Sequence, residues 1–168
     1  MKTRTLIRTI SLLVIACSLW IIFTVKNYHT MSVAELEKYA NKNDPKAQLT
    51  LGYRYYMGQE VSQDYQKAME LYLKSAALGN ARAMYNIGIL YIEGSGVKKD
   101  IDKVIEWNER SLKAEPTNVA AMNNLAWAYA HNQNYTKAME LYTKAAEKGH
   151  LGAQTGVAWL YRRSEEHT

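Results

Sequence analysis

Residues 94–99, Gly-Ser-Gly-Val-Lys-Lys, are the stretch of this chain that looks most like a catalytic loop. Two glycines around a serine, followed by two lysines, could cradle a phosphate through backbone N–H groups. A cradle of that kind follows a strand, opens a helix and occurs once. The other chemistry-bearing residues are scattered. His29, His131, His150 and His167 are isolated in sequence, and none pairs with a carboxylate or with Cys17 at ligand spacing. Asp100/Asp102 and Glu106/Glu109 could in principle work as acid and base, but they are near neighbours on what reads as one solvated helix face. Ser75 and Ser111 sit among small residues, with no Gly-x-Ser-x-Gly elbow around them. No catalytic, metal or cofactor residue is assigned, and the chain is not expected to be an enzyme.

The elements around the loop decide its reading. Residues 55–64, YYMGQEVSQD, align with residues 91–100, YIEGSGVKKD, at a spacing of 36. Tyr55/Tyr91, Gly58/Gly94, Val61/Val97 and Asp64/Asp100 coincide, while the second glycine is lost as Glu60. The loop is therefore a periodic turn, with a glycine ending one helix and Asp100 capping the next. The register extends upstream as AQLTLGYRY (47–55), AMYNIGILY (83–91), AMNNLAWAY (121–129) and AQTGVAWLY (153–161). Downstream, YQKAMELYLKSA (65–76) answers to IDKVIEWNERSL (101–112) and YTKAMELYTKAA (135–146). Ala47, Leu51, Gly52 and Tyr55 form an apolar stripe at helical spacing, as do Ala68, Leu71, Tyr72, Ser75 and Ala76. Each repeat is thus a helix pair, with a small residue at 52, 88, 126 or 158 for close helix approach. Such a pair cannot bury its stripe alone; stacked neighbours bury it as a solenoid. Residues 35–44 fit as an orphan second helix, opened by a Ser32/Glu35 capping box.

These residues resemble the Sel-like repeat family, a subclass of tetratricopeptide-like repeats. The first copy carries Ala47, Leu51, Gly52, Tyr55, Gly58, Val61, Asp64, Lys67, Ala68, Tyr72 and Gly79 of its pattern, and the second carries the complete GSGV. The third, with a loop four residues shorter, looks like an ordinary tetratricopeptide repeat. The resemblance implies an all-α fold, a right-handed α-α superhelix, with repeats at about 45–80, 81–116, 117–150 and a partial copy at 151–163. It also implies a concave face lined by the first helices. Carried over onto this sequence, that face comprises Tyr53, Tyr56, Tyr85, Asn86, Ile89, Asn123, Trp127, Trp159 and Arg162. Aromatic and amide side chains suit peptide binding.

The N-terminus reads differently. Lys2, Arg4 and Arg8 precede Thr9–Val25, 17 residues without a charge, closed by Lys26. As a helix the run spans about 25 Å, near the lower limit for a bilayer. Residues 1–30 are therefore expected to be a cytoplasmic segment and transmembrane anchor, and 31–168 the repeat domain. The flanking charges place the domain outside the cytoplasm, in a bacterial periplasm. Cleavage as a signal peptide, or lipid attachment at Cys17, stays open as an alternative. Of the 21 Lys and Arg, four fall in residues 1–30 with no acid, which leaves 17 against 16 acidic residues in the domain. Its balance of +1 does not favour nucleic acid. One cysteine excludes an internal disulfide.

The expected function is a membrane-anchored adaptor or regulator of another protein in the cell envelope. The alternatives are an immunity-type protein that neutralises an incoming toxin, a hydrolase with an unrecognised site, and a purely structural assembly subunit.

Overall fold

The computed structural model describes residues 26–165. Thr9–Val25 lies outside the described residues, and among those described no helix is long and apolar enough to cross a membrane. The unit beginning at Ser32 is all helix: α1 Val33–Ala40, α2 Pro45–Met57, α3 Tyr65–Ala77, α4 Ala81–Glu93, α5 Ile101–Ala114, α6 Val119–His131, α7 Tyr135–Glu147 and α8 Leu151–Glu165. No strand occurs among the described residues.

Local sequence explains the boundaries. Asp44, Asp64, Asn80, Asp100, Asn118 and Asn134 cap successive helices, each side chain accepting a backbone N–H of the first turn. The Ser32/Glu35 box is formed in both directions, with Ser32 N–H donating to Glu35 at 2.9 Å and Glu35 N–H to the Ser32 hydroxyl at 3.3 Å. His150 starts α8 in the place of these caps, its Nδ1 accepting from Ala153 N–H at 3.2 Å. The four first-helix caps therefore stand at 44, 80, 118 and 150, in steps of 36, 38 and 32. The third pair keeps the geometry of its neighbours despite the drift in sequence.

The glycine-rich loop joins two helices, as the period requires. Gly94 ends α4 at φ +78°, the left-handed conformation that favours glycine, and Gly96 follows at φ +72°. A Cβ on Gly96 would lie 2.7 Å from Tyr65 Cβ, so the loop is packed down onto the preceding repeat. Its equivalent in the first copy, Glu60, takes φ +61° and pairs with the buried Arg54.

The two helices of a pair approach through small residues. A Cβ on Gly52 would meet the ring of Tyr72 at 2.7 Å, and one on Gly88 would meet Asn108 Nδ2 at 2.5 Å. Ala126 is fully buried at the same position. Ala158 departs from the expectation: it is exposed, because no second helix follows α8 among the described residues to cover it. α8 instead approaches α7 through Gly156, where a Cβ would lie 2.6 Å from the Tyr142 ring.

The serines read as small packing positions do more than pack. Ser75 and Ser111 are both 0% exposed and donate to the carbonyls of Pro45 and Ala81, tying each second helix to the start of its partner.

Candidate partner-binding face

Each first helix has one stripe that stays half-buried or exposed. In α2 it runs through Lys46, Leu49, Thr50, Tyr53 and Met57, and in α4 through Arg82, Tyr85, Asn86, Ile89 and Glu93. In α6 it is Ala120, Asn123, Asn124, Trp127 and His131, and in α8 Gly152, Thr155, Gly156, Trp159 and Arg163. The spacing of i, i+3, i+4, i+7 and i+11 is a single helical face. Beyond helices adjacent in sequence, α4 meets α6 and α6 meets α8. First helices thus approach one another across repeats.

Of the carried-over residues, Tyr53, Tyr85, Asn86, Ile89, Asn123, Trp127 and Trp159 lie on this stripe. Tyr56 and Arg162 lie one step off it, in register with Ile92 and the buried Ala130. Tyr56 still faces the next repeat, donating its phenol to Glu93 Oε2 at 2.7 Å and meeting Tyr65 edge-on at a centroid distance of 5.7 Å. The aromatic residues at the two ends of the stack stay open: Tyr53 is 44% exposed and Trp159 41%. Residues absent from the carried-over set complete the face, above all Glu93, His131 and Arg163. They are equivalent positions, but one is acidic, one an imidazole and one basic, so no shared residue type marks them in the sequence.

The amides divide by role. Burial raises the Tyr72 pKa, and the Asn86 amide beside it opposes that rise, so Asn86 faces the preceding repeat. Asn123 Nδ2 reaches Asn124 Oδ1 at 3.4 Å, and Asn123 Oδ1 lies against the start of α8 near Gly152. Trp127 is half-buried, with the His131 ring 3.9 Å away centroid to centroid and His131 Nδ1 3.0 Å from the Trp127 carbonyl oxygen.

The phenols of this region are held neutral. Burial raises the Tyr56 pKa, and its bond to Glu93 raises it further. Burial raises that of Tyr85, with the Glu93 charge adding to it. Both keep their protons at neutral pH, where Tyr56 donates to Glu93. Among the described residues no three His, Cys, Asp or Glu side chains come together as a metal site would require. The face offers aromatic surface, amides and fixed charges, which is binding chemistry.

Residues 45–80 and 81–113 match the Sel1 repeat model, and residues 107–140 match a tetratricopeptide repeat model. Chitin synthase regulatory factor 3 of Schizosaccharomyces pombe is 29% identical over 130 residues, covering 73% of this chain and 14% of that protein. The ERAD-associated E3 ubiquitin-protein ligase component HRD3A of Arabidopsis thaliana is 30% identical over 92 residues, covering 55% of this chain and 14% of that protein. The chain thus spans about a seventh of the length of these curated relatives. A Sel1 repeat protein from Oxalobacter formigenes superposes with a TM-score of 0.64 at 25% identity, over 81% of this chain and 64% of its own.

Proposed function

This chain carries Sel1 repeats, and on that premise we propose that it is an adaptor or regulator whose inner face holds an extended segment of another protein. The observation that carries this reading is the continuous apolar row Tyr53, Ile89, Trp127 and Trp159, three of them aromatic, at one register of four successive first helices. Such a row with neighbouring amides gives a peptide apolar anchors and backbone hydrogen-bond partners. The names of the relatives fit this reading, one being a regulatory factor and another a component of a ligase. We place the protein in the cell envelope, tethered by Thr9–Val25, with the solenoid outside the cytoplasm. The apolar length of that run and the Lys2, Arg4 and Arg8 charges before it support this placement.

The test is crosslinking of the full-length protein in its native membrane, read by mass spectrometry, beside a Trp127→Ala, Asn123→Ala double variant. One dominant crosslinked protein, lost in a variant whose circular dichroism stays helical, is the expected result. A crosslink indifferent to the double variant would remove the inner face from the assignment. Recovery of the protein from the soluble fraction would remove the tether.

A further inference from the structure

The last position of the open stripe changes sign along the solenoid: Glu93 on α4, His131 on α6, Arg163 on α8. The two outer charges are held by neutral groups. Glu93 Oε2 accepts from the Tyr56 hydroxyl at 2.7 Å and from the Ser95 hydroxyl at 3.0 Å. Arg163 lies over two rings, 5.0 Å from the Tyr135 centroid and 5.5 Å from that of Trp159. Its Nε is buried and has no hydrogen-bond partner among the described residues. Neither residue joins any of the ion pairs found among the described residues, all of which lie elsewhere. A carboxylate oriented by two hydroxyls, and a guanidinium clamped on aromatic rings, are placed before any partner arrives. Such preorganised charges bind opposite charges at little ordering cost. The remaining stripe charges, Lys46 and Arg82, sit at the opposite edge. Eleven residues of helix put Arg82 about 16 Å from Glu93 along the axis, beyond a Debye length of about 8 Å at physiological salt.

Resting on the inner-face reading above, the geometry points to a partner segment of mixed charge: a basic side chain seated against Glu93, an acidic one against Arg163, and an apolar residue between them on Trp127. Glu93 and Arg163 are two first-helix steps apart. At about 10 Å per step the gap is about 20 Å, or about six residues of extended chain. Segments that are wholly acidic or wholly basic satisfy one end of this edge and set a like charge against the other.

The probes are four fluorescein-labelled synthetic peptides with the same apolar centre. They carry Lys and Glu six positions apart, Lys at both positions, Glu at both, or neither. Anisotropy titrations use the full chain in detergent micelles, at low and high salt. The Lys/Glu peptide should bind about tenfold tighter than any of the other three, with the advantage shrinking at high salt. Arg163→Gln should abolish the benefit of the Glu, and Glu93→Gln that of the Lys. Arg163→Lys and Glu93→Asp should each restore part of it, which separates lost charge from lost folding. Equal binding of all four peptides, abolished by Trp127→Ala, would overturn the charge selection and leave the inner face standing. A preference that survives both Gln variants would likewise overturn it. No binding of any peptide would overturn the charge selection together with the inner-face reading.

Discussion

The Ser111 hydroxyl donates to the Ala81 carbonyl at 2.8 Å, joining the last turn of one repeat's second helix to the start of its first. Ser75 repeats the bond to Pro45 at 2.7 Å, and the third copy has the fully buried Ala145 instead. Ser111 also receives the Asn118 amide at 3.1 Å, so it links its own pair to the next. Ser111→Ala should therefore cost about 1–2 kcal/mol, because it removes one buried bond and strands a second donor. The checking measurement is thermal unfolding of the full chain by circular dichroism, with a midpoint drop of about 4 °C expected. An unchanged midpoint would mean the bond contributes nothing net.

Asn108 stands where the neighbouring copies have Tyr72 and Tyr142. It is fully buried, donates to the Val104 carbonyl at 2.8 Å, and leaves Oδ1 without a partner. Gly88 lies against it as Gly52 lies against Tyr72, and Asn124 stands where Asn86 lies beside Tyr72. Asn108→Tyr should restore the repeat's own arrangement and raise stability by about 1 kcal/mol. A lower urea midpoint for this variant would show that the slot does not recur in the second copy.

At Gly52 two effects oppose. Alanine favours a helix by about 1 kcal/mol over glycine. A Cβ there, however, would stand 2.7 Å from a ring carbon of Tyr72, which is 1% exposed and cannot swing away. Overpacking of this kind costs about 1–3 kcal/mol, so Gly52→Ala should be net destabilising. A denaturation curve at or above wild-type stability would contradict the close approach of α2 and α3.

Tyr129 donates to Glu109 Oε1 at 2.6 Å. Burial, and then this bond, push its pKa up to about 12 from an ordinary value of 10. The folded phenol keeps its proton after the unfolded one has lost it. The associated stability is fully present below pH about 10 and is lost as pH rises to about 12. Absorbance titration near 295 nm should show one phenolate component, that of Tyr129, moving to lower pH in Glu109→Gln. A titration curve identical to wild type would place Tyr129 among the freely ionising tyrosines.

Much of this architecture is legible in the sequence because it rests on local, repeated chemistry. Asp64 and Asp100 at one register announce the second helices, and Gly58 and Gly94 announce the ends of the first. The glycine-rich loop could be read as a turn because Glu60 stands where its second glycine recurs. What was not legible depends on contacts between repeats or on where the stack ends. Ala158 has the register of Gly52, but register does not reveal whether a helix will cover it. Tyr56 reaches Glu93 across 37 positions, and only the stacking distance brings them together. Arg163 escaped notice because its counterparts are Met57, Glu93 and His131: an open position is free to vary, so it leaves no pattern.

The helices of this solenoid touch mainly their sequence neighbours. Energetically it is a row of units coupled one to the next, and such rows lose structure from their ends inward. Helix α8, which among the described residues packs only against the repeat before it, should exchange its amide protons long before α4 does. A bound chain reaching from α4 to α8 would couple units that are otherwise two steps apart. Occupancy of the inner face would then register as slowed exchange at α8 itself, a cooperativity that the unliganded row lacks.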